Sequence, residues 1–567
     1  VHVQREPARA PRWGAFPEGL SEGARAFARS RGVERPYTHQ AAALAAVLAG
    51  EDVLLTSGTA SGKSLCFQLP IVQALAEDAG STALLLFPAK ALARDQAAAW
   101  NAGADAIGLG RDCRAVPYDG DSGTADRRTA RECARVLLTN PEMLHLKLIP
   151  GHGRWQRFFA GLRYVVVDEV HTYTGFFGAN MANVLRRLDR VCELHCGRPQ
   201  YICCSATVGN PGELAQTLTD RQMRVIEDDG SARGRRTYVF WNPPRIKKRA
   251  WRGRRSANVE AHELMARLVQ RGIATICFSK ARNTAEMIYR YVRERLQQTA
   301  PELAERVVPY RGGYRPAERR ALEAQLRRGE LLGVSATRAL ELGIDIGCLQ
   351  ACIIVGYPGL LHAFRQQAGR AGRGRREAVC FLVGVDTPIN QHIMQHPEFI
   401  FDRPLERAVV DRDNPFVVIG HVRCATAERP LSDADVERFG YATPLVLDVL
   451  EEHQKVYHAD DGWYHADVDE PAFEVRLRGY GDTTTVVEDA DTGAVIDRLD
   501  TFRAVRLFYD GAIYFHHGDT WALVEYDSDR NLVRLRRTES SFYTDPVTGT
   551  AVDHVDAVLD QRRIGTG

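Results

Sequence analysis

The sequence predicts an α/β protein, two lobes with parallel sheets followed by a small helical module and a small β-rich module. Three observations predict it. The chain has 567 residues, too many for one core at about 150 residues per domain. Short apolar runs alternate with longer periodic segments, and this alternation occurs twice before residue 395. Beyond residue 395 it gives way to short helical patterns and then to short strands bounded by Gly and Asp.

Residues 1–35 are rich in Arg and Ala, carry Pro7, Pro11 and Pro17, and read as an N-terminal arm that ends in a helical pattern over 21–31. The first lobe is expected over 36–232, with strands at 53–56, 83–87, 136–139, 164–167 and 201–204 and a helix at 65–79. The last three strands end where polar residues cluster, as parallel strands do beneath a binding crevice. Residues 233–257 read as a basic interlobe linker. The second lobe, 258–394, takes strands at 274–278, 307–309, 331–335, 351–355 and 378–383, with helices at 281–296 and 317–328. A module over 395–468 carries helices at 433–440 and 445–454 and a hairpin over 456–467. The β-rich module, 469–567, takes strands at 473–477, 484–488, 504–509, 512–516, 521–526 and 532–536.

Composition narrows the class. Hydrophobic residues at 45% and charged residues at 26% match a globular average and exclude a mostly disordered or fibrous chain. The longest uncharged run, 346–364, contains Gly347 and Pro358, which argues against a membrane span. Val1-His2-Val3-Gln4-Arg5 lacks an apolar signal core, and twelve cysteines without dense pairing suggest reduced thiols in the cytoplasm. Basic side chains outnumber acidic ones 56 to 38 over residues 1–390 and are outnumbered 18 to 34 thereafter, about +18 against about −16. An anionic partner would favour the first part, and the acidic remainder could dock a protein.

The strongest local signal is Ser57-Gly58-Thr59-Ala60-Ser61-Gly62-Lys63-Ser64, set between a strand and a helix. Such a loop turns backbone N–H groups of Thr59, Ala60, Ser61 and Gly62 toward phosphate oxygens, Lys63 adds positive charge at the β/γ-phosphates, and Ser64 can ligate Mg²⁺. About a hundred residues on, the apolar run 165–167 leads directly into Asp168-Glu169-Val170-His171. Carboxylates at a strand's C-terminal end suit an ATPase, with Asp168 holding Mg²⁺ and Glu169 deprotonating the attacking water. Alone, the acids would read as a solvated strand end; beside the phosphate loop they read as its partner.

These motifs, with Ser205-Ala206-Thr207 and Gln366-Gln367-Ala368-Gly369-Arg370-Ala371-Gly372-Arg373 in the same order, resemble the superfamily 2 helicases of DEAD/DEAH type. The resemblance implies two RecA-like lobes with ATP between them and a nucleic-acid strand across their top. It implies that Arg370 and Arg373 reach the γ-phosphate from the second lobe, Arg373 as arginine finger. Gln366 would sense the nucleotide and touch the segment of His171, while Ser205 and Thr207 would couple phosphate state to lobe closure. Gln40, in Tyr37-Thr38-His39-Gln40, would read the adenine edge, and Asp345 would lie near the ATP sugar. Lys90, Thr139, Ser279 and Thr337 fall in segments similar to the strand-gripping motifs, whose phosphate contacts are sequence-independent and salt-sensitive.

A narrower likeness covers nearly the whole chain. Tyr118-Asp119-Gly120-Asp121, Thr172-Tyr173-Thr174-Gly175 after the acidic motif, Tyr310-Arg311-Gly312-Gly313-Tyr314 and the segment 511–518 resemble the bacterial mitomycin-repair helicases and the related Hrq helicases. That group implies ATP-driven 3′→5′ movement on single-stranded or tailed duplex DNA, a part in DNA repair, and a winged-helix-like unit near 431–467. A monomer is expected. Its members continue into a domain with a four-cysteine zinc site, whereas this sequence has no cysteine after Cys424 and stops at Gly567, so either the sequence is truncated or this member lacks the domain.

Weaker signals have plainer readings. Cys192, His195, Cys196, Cys203 and Cys204 cluster as soft ligands would, yet their strand and helix spacing reads as buried thiols. The stretch 233–255 holds ten basic residues, no acidic ones, and Trp241 and Trp251, which suits either a solvated linker or a nucleic-acid contact. Two other functions fit the same motifs: an RNA helicase or ribonucleoprotein remodeller, and a nucleic-acid-binding scaffold with an idle ATPase.

Overall fold

A computed structural model describes residues 1–544, apart from 59–60, 249–250, 311–315, 342–346, 348, 373–375, 460, 480–483, 517–518 and 541–543. The chain forms two compact units, 1–480 and 481–567.

The first unit is built on two seven-stranded sheets. One has the order Ala115–Pro117, Val136–Thr139, Thr82–Leu86, Leu162–Val167, Gln200–Ser205, Val53–Thr56, Arg224–Ile226, and every pairing in it is parallel. Its central strands are apolar on both faces because helices cover both. Phe27, Leu44, Phe67 and Trp100 pack on one face, Trp155, Phe158, Tyr173 and Leu185 on the other. The second sheet runs His2–Glu6, Arg236–Trp241, Ala378–Val383, Ala351–Val355, Thr275–Phe278, Gly333–Ala336, Val307–Tyr310, parallel except where His2–Glu6 pairs antiparallel with Arg236–Trp241.

The expected N-terminal arm and basic linker are therefore corrected. His2–Glu6 is an edge strand of the second sheet, whereas helix Glu22–Ser30 buries Ala24, Phe27 and Ala28 in the first lobe. Arg236–Trp241, placed in the linker by its charge, buries Tyr238 and Phe240 on alternate positions as a strand does. The chain then makes a hairpin, Arg245–Lys248 with Trp251–Arg254. Residues 9–12 and 230–233 run side by side, joined by Arg9 N to Arg233 O (2.8 Å), Arg233 N to Arg9 O (3.0 Å) and Arg12 N to Gly230 O (2.9 Å). The two lobes are thus connected by a two-stranded ribbon.

Three helices, Pro415–Glu428, Asp433–Arg438 and Thr443–Glu452, and the hairpin Val456–Ala459 with Gly462–His465 enclose a core of Val418, Val422, Leu431, Phe439, Leu447 and Val456. Its first helix was absent from the sequence reading. This module is fastened to helix Gly175–Leu194 of the first lobe by two buried ion pairs, Arg187 with Glu428 and Arg190 Nε with Asp435 Oδ1 at 2.8 Å, and by a half-buried one, Arg186 Nη2 with Asp413 Oδ1 at 2.7 Å. Arg190 sits three positions after Arg187 and four after Arg186, which brings it beside both on successive turns of the helix. Residues 473–477, expected as a strand of the β module, instead follow the short helical turn Pro471–Phe473, and Leu477 packs in the first lobe's core.

The second unit holds a five-stranded sheet in the order Val495–Asp500, Thr484–Asp489, Leu532–Arg537, Asp519–Asp527, Ile513–His516. The strand expected over 504–509 is corrected to a helix, Thr501–Leu507. Ala504 and Phe508, four apart, face the core while Phe502 and Val505 are exposed, which is a helical spacing. Among the described residues no helix is long and apolar enough to cross a membrane.

Candidate active site

The phosphate loop leaves strand Val53–Thr56 and enters helix Ser64–Glu77. Gly62 turns with φ +82°, and a Cβ there would stand 2.5 Å from Gln40 Nε2, so the position accepts glycine on both counts. Lys63 Nζ donates to the carbonyls of Ser57 (2.9 Å) and Gly58 (3.1 Å), and the hydroxyls of Ser57 and Ser61 lie 2.6 Å apart. Two side chains brace the loop from below. Gln40 Nε2 donates to Gly62 O at 2.9 Å while its Oε1 accepts from Tyr37 N at 2.8 Å. His39 Nδ1 accepts from Gly230 N (3.1 Å), which leaves the proton on Nε2 to donate to Ser61 O (3.1 Å). The Gln40 side chain, expected to read the adenine edge, is 2% exposed, with both amide atoms engaged under the loop. Thr59 and Ala60 lie outside the described residues.

Asp168 and Glu169 follow the buried strand Leu162–Val167 and are themselves buried. Glu169 takes a left-handed backbone, φ 53°, which turns the chain sharply out of the sheet. Burial first, and then the charge of Glu169, push the Asp168 carboxyl up to about 7, against the pull of Lys63. His171 is held on two sides. Its Nδ1 accepts from Ala206 N at 3.0 Å, so Nε2 carries the proton, and Nε2 stands 2.5 Å from the side-chain amide of Gln366, whose oxygen is the chemically competent partner. Burial lowers His171 to about 4 and keeps it neutral. The Ser205 hydroxyl donates to Ala206 O (2.7 Å) and the Ser205 carbonyl accepts from Ser57 N (3.3 Å), while Thr207 is exposed.

The two lobes face each other across a cleft of about 530 Å³. Ser61, Gly62, Lys63, Ser64, Asp168 and Glu169 line it from the first lobe, Gly369 and Arg370 from the second. Arg370 is 2% exposed and donates from Nη2 to Glu341 O at 2.6 Å. Arg373 and Asp345 fall outside the described residues. Sequence reasoning missed Asp95 and Arg327, which also line the cleft and form an ion pair across it at 2.7 Å. No local signal joins them, since 232 positions separate them.

The proposed strand contacts sit at the C-terminal ends of strands in both sheets. Lys90 is 35% exposed and pairs with Asp121 at 2.9 Å, beside a bidentate Arg94–Asp119 pair at 2.8 Å. Ser279 and Thr337 follow adjacent strands of the second sheet. Thr139 is corrected: it is 0% exposed and its hydroxyl donates to Tyr118 O at 2.6 Å, so it holds two strand ends together instead of meeting a ligand. Cys192, Cys203 and Cys204 are buried thiols and Cys196 is exposed.

Known families match along the chain: DEAD/DEAH box helicase over residues 37–214, helicase conserved C-terminal domain over 260–375, and the winged helix domain of ATP-dependent helicase HRQ1 over 410–480. The ATP-dependent helicase YprA of Bacillus subtilis is 39% identical over 94% of this chain and 70% of its own length. The chain belongs to the YprA/HRQ1 group of DEAD/DEAH-box helicases. ATP-dependent helicase HRQ1 of Saccharomyces cerevisiae is 34% identical over 92% of this chain, which spans 49% of that protein, about half its length. A crystal structure of the helicase MrfA bound to DNA and AMPPNP superimposes with TM-score 0.88 at 38% identity, covering 96% of this chain and 76% of that one. As a helicase of this group the protein is an ATP-using enzyme, and the cleft between its RecA-like lobes carries the group's phosphate loop and acidic motif.

Proposed function

We propose that this helicase is a DNA-stimulated ATPase that moves 3′→5′ along single-stranded DNA and separates tailed duplexes in DNA repair in the cytosol. The observation that carries the reading is the shared cleft, with lysine and carboxylates from one lobe and Arg370 from the other. Likeness to a helicase solved with both DNA and AMPPNP supports DNA as the strand.

Lys63, now folded onto the Ser57 and Gly58 carbonyls, would exchange those acceptors for phosphate oxygens. A hydroxyl beside two buried carboxylates is a donor set suited to a hard divalent cation, so Ser64 and Asp168 would hold Mg²⁺. When bound, Mg²⁺ supplies compensation for phosphate charge. Glu169 takes the proton of the attacking water, and Arg370, with Arg373, stabilises charge on the transferring phosphoryl group. The bond between His171 and Gln366 ties the hydrolysis motif to the second lobe, so separation of the lobes must break it. Lys90, Ser279 and Thr337 would grip the strand's phosphates alternately as the lobes open and close.

Strand displacement tests this. A DNA duplex with a 3′ tail should be unwound in the presence of ATP, and one with a 5′ tail should not. Equal stimulation of ATP turnover by single-stranded RNA and DNA would favour the RNA reading, and binding without displacement would favour a scaffold.

A further inference from the structure

A second cavity of about 250 Å³ lies on the other side of Ala206, which lines both it and the nucleotide cleft. Gly58 of the phosphate loop, Thr207 and Gln366 line it, together with three basic side chains, Arg233, Arg236 and Arg365, and one acidic one, Glu6.

The guanidinium groups form a series. Arg233 leans on the loop itself, for a Cβ on Gly58 would meet its Nη2 at 2.9 Å. Arg236 is half-buried, gives Nη2 to Ala371 O at 3.4 Å, and its buried Nε makes no hydrogen bond among the described residues. Arg365 is exposed on helix Leu361–Ala368, next to Gln366. Like charges gathered around a cavity repel one another, and burial and then Arg236 lower the affinity of Arg233 for its proton. A visiting anion relieves that repulsion.

We propose that this cavity is the exit route for orthophosphate, which passes Gly58 and Ala206 after cleavage and is handed from Arg233 and Arg236 to Arg365 and solvent. The proposal rests on the ATPase reading above. Glu6 and the opening at Arg365 keep the binding transient, since a fully cationic enclosed pocket would retain the product.

Rapid-quench measurement of ATP cleavage and a fluorescent phosphate sensor, applied to the same DNA-bound protein, separate chemistry from release. With Arg365→Glu, cleavage should match the wild type while phosphate release falls about tenfold, the lower end of what a charged cleft does to small-ion traffic. Arg236→Gln should delay release in the same sense. Release that keeps pace with cleavage in both variants overturns the proposal. So does a loss of cleavage itself, which would place these arginines in the chemistry. Failure of the wild type to cleave ATP would overturn the ATPase reading and this route with it.

Discussion

Replacing Arg187 should loosen the winged-helix module from the first lobe. Arg187 is 0% exposed and makes a bidentate pair with Glu428, which is 2% exposed. Its Nη1 also donates to Nδ1 of His145 (2.7 Å) and of His421 (3.3 Å). Arg187→Ala leaves a buried carboxylate with its counter-charge removed, which costs about 3–5 kcal/mol. Replacing both partners, Arg187→Met with Glu428→Leu, removes the orphaned charge and fills the volume, so most of that loss should return. Hydrogen exchange across helix Pro415–Glu428 reads the docking directly, without requiring the whole chain to unfold in one step. The single variant should exchange faster there by at least about two orders of magnitude, since about 1.4 kcal/mol corresponds to tenfold. Because helix Gly175–Leu194 begins a few residues after His171, strand displacement should fall further than ATP turnover. A cost below about 1 kcal/mol, or a double variant as weak as the single one, would refute the argument that this buried pair holds the module in place.

Three further outcomes are expected. Lys63→Ala should lower ATP turnover by about 10²- to 10³-fold, as loss of a donor at a developing anion does, whereas Glu169→Gln should lower turnover by about 10²- to 10⁴-fold and still bind a fluorescent ATP analogue. Stability should decline as pH falls below about 6.5, the ordinary value for histidine. His145, held at about 3, and His421, held well below its ordinary value, both stay neutral in the fold, chiefly through burial and the charge of Arg187. The unfolded chain therefore takes up protons that the folded one refuses, at about 1.4 kcal/mol per pH unit per histidine, a loss that levels off for His145 near pH 3. A thermal melt unchanged between pH 7.5 and 5.5 would contradict this.

The legible part of the site consists of contiguous strings. In Ser57–Ser64 and in Asp168–His171 the chemistry depends on spacing along one strand-to-loop turn, so the residues declare one another without knowledge of the fold. Gln366 and Arg370 were legible for the same reason, and the structure brings both to the first lobe's motifs. Tertiary partnerships were not legible. Nothing near Arg187 announces Glu428, 241 positions away, and an isolated Arg-Arg pair on a helix normally reads as a solvated face. Strand His2–Glu6 was hidden because its pattern is short, polar and mostly exposed, and its partner Arg236–Trp241 was hidden by surrounding basic charge. Gln40 and Thr139 were assigned outward contacts on the strength of motif position, while the hydrogen bonds that bury them depend on strands the string does not show.

One continuous stretch, residues 162–194, therefore has three roles at once. Its strand delivers Asp168 and Glu169 to the cleft, its turn gives His171 to Gln366 of the other lobe, and its helix carries the arginines that grip the winged-helix module. A displacement of Gln366 on lobe opening acts on His171 through one hydrogen bond, whereas the same helix's hold on Glu428 and Asp435 consists of several charge-assisted ones. The weaker of the two couplings is the one that yields. The module should thus travel with the first lobe through each cycle, and the relative motion that moves a strand must lie between this composite body and the second sheet, where the chain crosses between them: at the ribbon of residues 9–12 and 230–233 and at the segment that leads from helix Glu398–Phe401 to the module.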